Sequence, residues 1–264
     1  MTDEELRKLQ LYGLEILKDV DKFCKKNNIK YCLGEGTLLG AVRHHGFIPW
    51  DDDIDILMTR ENFDKFVSKY QSKNYELEYF NTIPDHWVPF AKVRIIRETE
   101  FMIPTRTTKT FKYKGPRIDV FPLDYVPCMS SKKQDFQWKK IKFWKSILKN
   151  KVLAVEKKKK KYYYLIYPIA RMFPYKLIVK IIKNNLQNYN SSCKFIANKC
   201  SAYPIKKETF PKEYYEDLIN IKFEDQNFPV PREYDKVLTQ IYGDYMTPPK
   251  LEDRKRKHNV KVRK

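Results

Sequence analysis

The stretch Trp50-Asp51-Asp52-Asp53-Ile54-Asp55-Ile56 places four carboxylates within five residues, between apolar neighbours. Like charges this close repel one another, so a fold that gathers them is costly unless a cation neutralises them. Asp53 and Asp55 alternate with Ile54 and Ile56. In an extended chain that period of two sends the isoleucines to a core and both aspartates to the opposite face. Two hard oxygen ligands on one face at the end of a strand suit Mg²⁺ or Mn²⁺ holding a diphosphate. A solvated acidic turn is the ordinary fate of an isolated Asp-x-Asp; the apolar setting here favours a functional reading. An EF-hand loop is excluded, because the sixth and twelfth positions counted from Asp51 are Ile56 and Asn62 rather than Gly and Glu.

The flanking sequence predicts alternating helices and strands. Thr2-Asp3-Glu4-Glu5 has the spacing of a capping box, followed by Leu6, Leu9, Gly13, Ile16, Val20 and Phe23 at helical intervals to Asn27-Asn28. A strand is expected over 29–33, a turn at Gly34-Glu35-Gly36-Thr37, and a helix capped by Thr37. Further strands are expected at 54–58, 75–80, 91–96 and 118–121, with a helix over 60–70. The mixture implies an α+β class, with a catalytic core over 1–131, a basic and mainly helical segment over 132–190, and a C-terminal part over 191–264 that completes the domain.

The chain carries 53 Lys and Arg against 33 Asp and Glu. That excess is concentrated: 132–183 hold 17 basic residues against Asp135 and Glu156, and the tail from Arg254 adds 7 with no acid. The remainder is nearly neutral, so an evenly basic nucleic-acid binder is not expected. Trp138, Phe143, Trp144 and the tyrosines at 162–164 stand among the lysines, a texture suited to peripheral contact with an anionic membrane. No apolar run reaches the ~18–20 residues of a membrane span. Five cysteines in odd number, without a CxxC pair, predict reduced thiols and no structural zinc, and the expected location is cytoplasmic, peripheral on the inner face of the plasma membrane.

A glycine-containing turn ahead of a helix lets backbone N–H groups approach a phosphate, which makes Gly34, Gly36 and Thr37 candidates for donor binding. With the downstream carboxylates on a strand, and Asp119 between apolar neighbours in Arg117-Ile118-Asp119-Val120-Phe121, the order resembles that of nucleotidyltransferase-fold enzymes. The block from Gly34 through Arg43-His44-His45-Gly46-Phe47-Ile48-Pro49 to Ile56 closely resembles the signature of the LicD phosphotransferases, whose distant relatives include fukutin and fukutin-related protein. Ile118-Asp119-Val120-Phe121-Pro122-Leu123-Asp124 and Tyr242-Gly243-Asp244-Tyr245-Met246 agree with it, and the likeness is weakest over 132–186.

The resemblance implies a divalent-metal enzyme of nucleotidyltransferase fold that moves a phospho-alcohol, typically phosphocholine from CDP-choline, onto a hydroxyl of a cell-surface glycan or its lipid-linked precursor. Teichoic acid, lipooligosaccharide and capsule are the acceptors it suggests. Carried over by position, Asp53 and Asp55 match the metal-binding carboxylates, Asp51 a neighbouring acid, and Asp119 the later-strand acid, as ligand or as proton acceptor. Glu35 departs from the residues commonest at its position. Arg43, Lys92 and Arg94 are candidate phosphate cations, and Trp50, Trp87 and Tyr113 candidate walls for a quaternary ammonium. Adjacent His44 and His45 point in different directions on a helix and are not expected to share a metal. Three other classes remain open at this point: a sugar-nucleotide glycosyltransferase, a nucleic-acid nucleotidyltransferase, and a membrane-surface adaptor without activity.

Overall fold

In the computed structural model, residues 1–84, 86–103, 115–152, 163–254 and 260–263 are described. Tyr113, the lysine run at 157–161, Tyr162 and most of the basic tail lie outside them.

The first helix, α1 (Asp3–Lys26), starts from the predicted capping box: the Glu5 N–H donates to Thr2 Oγ1 at 3.1 Å and the Thr2 N–H to Glu5 Oε2 at 2.6 Å. Next come β1 (Cys32–Leu33), α2 (Glu35–His44), β2 (Asp55–Thr59), α3 (Arg60–Lys69), β3 (Tyr75–Glu78), β4 (Ala91–Ile95), β5 (Phe101–Met102) and β6 (Arg117–Val126). The lysine-rich region forms α4 (Lys132–Val152), α5 (Tyr163–Met172) and α6 (Tyr175–Leu186). The chain then adds β7 (Phe195–Ala197), β8 (Thr209–Pro211), α7 (Glu213–Glu216), β9 (Leu218–Phe223), β10 (Gln226–Pro231), α8 (Tyr234–Tyr242) and β11 (Lys261–Val262).

The main sheet is mixed, in the order β1-β2-β6-β4-β3. Strands β2 and β6 run parallel, while β4 pairs antiparallel with β6 and β3 antiparallel with β4. The far end of β6 continues into β7 and β8, so the C-terminal third shares this sheet. Two-residue alternation gives the sheet two unlike faces. Ile56, Val93, Ile118 and Val120 are fully buried on one. There α1 approaches so closely that a Cβ on Gly13 would lie 3.2 Å from Ile54, and α3 sets Phe63 edge-on to Tyr79 with ring centroids 5.3 Å apart. The other face carries Asp55, Asp119, Arg117, Lys92 and Arg94, with Phe90 and Phe121 beside them.

Three local expectations are corrected. The cap of α2 is Gly34, and Thr37 sits inside the first turn, where its hydroxyl accepts a bond from another strand. Strand β1 spans two residues and β6 ten, because β6 has β2 and β4 on either side and later β7, whereas β1 is an edge strand. Trp138 and Trp144 turn inward, Trp138 against Val126, Ala197 and Ile205, and Trp144 edge-on to Phe173 at 5.4 Å. The outward face of α4 carries Phe136, 68% exposed, and Phe143, 47% exposed, one heptad apart.

Backbone approaches backbone where α2 ends. A Cβ on Gly40 would lie 2.5 Å from the Gly46 carbonyl oxygen and 3.2 Å from the Ile48 nitrogen, and the Gly46 N–H donates to the Gly40 carbonyl at 3.4 Å. Gly40→Ala is therefore expected to push α2 off the 46–48 turn and to cost on the order of 1–3 kcal/mol. Urea unfolding checks this, and an unchanged midpoint would show that the turn yields freely.

Candidate functional site

The position of Asp55 is fixed through its main chain. Its N–H donates to Thr37 Oγ1 at 2.8 Å and its carbonyl accepts from the Gly34 N–H at 3.0 Å, so the glycine turn and the carboxylate strand are tied at both ends. Gly34 is required by this closeness, since a Cβ there would lie 2.5 Å from Leu57. One strand over, the Asp119 N–H donates to the Ile54 carbonyl at 2.8 Å, which sets Asp119 directly beside Asp55 in the parallel register. Glu35, the next residue along the turn, takes a left-handed φ of 48°, and its Oε1 accepts from Asn198 Nδ2 at 3.0 Å. Such backbone conformations persist where the surroundings over-determine them, often at functional sites.

The sheet register lines up charged groups across four strands. Asp55 on β2 faces Asp119 on β6, Asp119 faces Lys92 on β4, and Lys92 faces Glu78 on β3. Lys92 Nζ donates to both Asp119 oxygens, at 2.7 and 2.8 Å. Burial, reinforced by the nearby Arg117 cation, lowers the Lys92 ammonium to about 8 against the opposing pull of Asp119. Arg117 lies 3.5 Å from Asp119 Oδ1, and burial lowers it too, with Asp119 opposing.

The predicted trio of Asp53, Asp55 and Asp119 is only partly gathered. Among the described residues, the group of three whose ligand oxygens all come within 4.8 Å of one another is Asp51, Asp52 and Asp53. Asp55 and Asp119 stand on neighbouring strands, with Asp119 drawn toward Lys92. The donor set consists of hard carboxylate oxygens crowded together, with Asp51 and Asp55 less than a tenth exposed, and it fits Mg²⁺ or Mn²⁺.

The three candidate phosphate cations part company. Lys92 lies at the centre of the polar face. Arg94 is only 1% exposed, and its guanidinium is held by both oxygens of Glu78 and by the Gly115 carbonyl at 2.6 Å. It is an internal ion-pair residue, because a cation that deep needs a permanent counter-charge. Arg43 is six residues beyond Thr37 on α2, about 9 Å along the axis, and its Nη1 donates to the Tyr245 carbonyl at 2.6 Å. Two of the aromatic candidates already face cations of the chain: Arg254 lies 4.7 Å from the Trp50 ring centre and Lys149 5.1 Å from that of Trp87. His44 packs edge-on to Trp50 and shares a bond with Arg43 Nε, and burial together with the Arg43 charge lowers its pKa.

Sequence reasoning missed Arg117, although it precedes Asp119 by two residues and so shares its strand face. It also missed Glu208, which is 2% exposed, bonded by Ser201 Oγ at 2.8 Å, and raised well above the usual carboxylate range by burial and by Glu35. No pattern in the sequence brings 208 to 35.

The description "LicD/FKTN/FKRP, nucleotidyltransferase domain" belongs to the family whose sequence model matches residues 28–150, a span that runs from the glycine turn through both carboxylate strands and into α4. The lipopolysaccharide cholinephosphotransferase LicD of Haemophilus influenzae is 32% identical over 261 residues, covering 96% of this chain and 96% of that protein. Uncharacterised proteins of Rickettsia prowazekii and Rickettsia typhi are 36% and 41% identical over 88 and 78 residues, covering 30% and 28% of this chain and 33% and 25% of their own. With likeness at this level extending from α1 to the C-terminal strands, and the signature residues meeting along the β2–β6 pair, the chain belongs to the LicD family.

Proposed function

We propose that this chain transfers phosphocholine from CDP-choline to a hydroxyl of a surface glycan or its lipid-linked precursor, releasing CMP, within a core of nucleotidyltransferase fold. The observation that carries the reading is the register of Asp55, Asp119 and Lys92 across three adjacent strands, two carboxylates and a cation on one face beside the glycine turn. The full-length likeness to a cholinephosphotransferase supports the choice of donor.

The acceptor oxygen attacks the phosphorus that bears choline, the bond from that phosphorus to the bridging oxygen breaks, and CMP leaves with the electron pair. Asp119 receives the hydroxyl proton. Lys92 holds Asp119 in place and contributes positive charge beside the leaving diphosphate oxygens. Asp53 and Asp55 would hold a divalent cation, Mg²⁺ or Mn²⁺, which when bound neutralises charge on the diphosphate. Gly34, Gly36 and Thr37 bring the first turn of α2 up to the donor.

The test is CMP release from a panel of CDP-alcohols (choline, ethanolamine, ribitol, glycerol) with Mg²⁺ and glycan acceptors. CDP-choline should be turned over fastest. Turnover confined to UDP-sugars would overturn the reading in favour of a glycosyltransferase.

Among the described residues, no helix is long and apolar enough to cross a membrane. Phe136, Phe143, Met172 (76% exposed) and Leu177 (41% exposed) stand out of the lysine-rich helices α4 to α6 and suit reversible docking on an anionic surface. Sedimentation with anionic vesicles at low salt should pellet the protein, and high salt should release it. Equal, negligible pelleting with anionic and neutral vesicles would end that part of the proposal.

A further inference from the structure

We propose that Arg117 and Lys145 bind the diphosphate of the nucleotide donor together with Lys92, so that the lysine-rich helix α4 forms one wall of the site. The identity of the ligand rests on the CDP-alcohol reading above; the anion subsite itself rests on three observations of side-chain placement.

The first concerns Arg117. Among the described residues its Nε and Nη1 are buried without a hydrogen-bond partner; Asp119 lies 3.5 Å away with both oxygens already taken by Lys92, and Glu78 and Asp53 act on it as further counter-charges. A guanidinium presents five donors in a planar fork matched to phosphate oxygens.

The second concerns Lys145. Gln134, Ile141 and Leu148 are buried along α4 at seven-residue intervals, and Lys145 falls in the middle of that inward stripe, four residues from Ile141 and three from Leu148. A lysine at the centre of a buried helix face is costly without an anion nearby. Lys145 makes no ion pair or hydrogen bond among the described residues, and burial lowers its pKa, with Asp119 partly opposing.

The third places these groups together. Phe90 stacks against Phe121, ring centroids 4.3 Å apart, and both Lys92 and Lys145 reach the Phe90 ring, at 4.7 and 5.7 Å from its centre. Lys142 and Lys149, neighbours of Lys145 on the helix, are spent on the rings of Trp138 and Trp87. Lys92, Arg117 and Lys145 all feel the Asp119 charge, and a diphosphate would supply the oxygen acceptors that Arg117 lacks.

Calorimetry of the full chain with CDP, inorganic pyrophosphate and cytidine in Mg²⁺ tests this. Lys145→Met and Arg117→Met should each weaken CDP and pyrophosphate at least fivefold and leave cytidine within twofold of wild type. Lys140→Met, which removes the same charge from the exposed face of α4, should change none of the three. Lys145→Met should also melt no lower than wild type, since it relieves a half-buried charge. Losses below fivefold for CDP in both variants would make Arg117 and Lys145 structural residues and overturn the proposal. If Arg117→Met does not fold, Lys145→Met decides alone, being on a different element. A wild type that binds pyrophosphate through these residues but prefers another nucleoside diphosphate to CDP would leave the subsite standing and sink the choline-donor reading; one that binds neither would sink both.

Discussion

Asp53→Asn and Asp55→Asn are each expected to lower transfer at least 10³-fold, about 4 kcal/mol on the barrier, without unfolding the protein. Asp55 is anchored by its N–H to Thr37 and by its carbonyl to Gly34, and neither bond is touched when a carboxylate becomes an amide of the same shape. What is lost is negative charge in a place where Asp51, Asp52 and Asp53 already crowd within 4.8 Å, with Asp55 and Asp119 on the strands beyond. Such crowding opposes folding and favours cation binding. The asparagine variants should therefore melt at the wild-type temperature or slightly above it while binding Mg²⁺ and turning over donor far more weakly. CMP release and a thermal melt measure the two effects on the same sample. A variant that keeps more than about a tenth of wild-type turnover, a barrier change under ~1.4 kcal/mol, would remove the carboxylates from the metal role.

Much of the site is legible in the sequence, because its residues lie in short runs whose geometry follows from a local rule. Alternation places Asp119 on one face of its own strand and Asp55 on one face of β2, but the expected pairing of Asp53 with Asp55 on that face fails, because β2 begins only at Asp55 and Asp53 groups with Asp51 and Asp52 ahead of it. What alternation cannot provide is the register between strands, and register is what sets Asp55 beside Asp119 and Asp119 beside Lys92. The cations show the same limit. Lys92 and Arg94 share a face of β4 and read identically in sequence, yet one meets Asp119 and the other is claimed by Glu78, a partner 16 residues away on β3. The lysine-rich region was misleading in a different way. Its composition suggested a surface helix, and charge runs usually are solvated. Its period of seven, with Gln134, Ile141 and Leu148 turned inward, was visible in the same residues and singles out Lys145 as the lysine on the wrong face. Glu35 and Glu208, 173 positions apart, had no such signal, since only the return of β7 and β8 onto the sheet brings them together.

The Arg94–Glu78 pair gives the largest expected effect on stability. Both side chains are 1% exposed, the guanidinium makes two bonds to the carboxylate, and Arg94 also donates to Gly115. Removing two charges from water costs several kcal/mol per ion, and a pair this well matched roughly offsets that cost; removing one partner leaves the other uncompensated. Glu78→Ala is accordingly expected to destabilise the chain by about 3–5 kcal/mol, whereas Glu78→Leu combined with Arg94→Met should cost much less than the sum of the single changes. The pair should also impose an acid limit. Burial alone would raise Glu78, but the Arg94 charge and hydrogen bonds override it and hold the carboxyl below the ordinary value of 4.5. A depressed folded-state pKa means that the stabilisation is complete above about 4.5 and drains away as the pH falls through the lower folded value. Urea unfolding between pH 7 and pH 3 measures both effects. Arg94→Met that has folded should bind CDP as the wild type does, in contrast to Lys145→Met. A loss under ~1 kcal/mol for Glu78→Ala, or a loss of CDP affinity in Arg94→Met equal to that of Lys145→Met, would return Arg94 to the phosphate site and leave the interior of β3 and β4 without its electrostatic anchor.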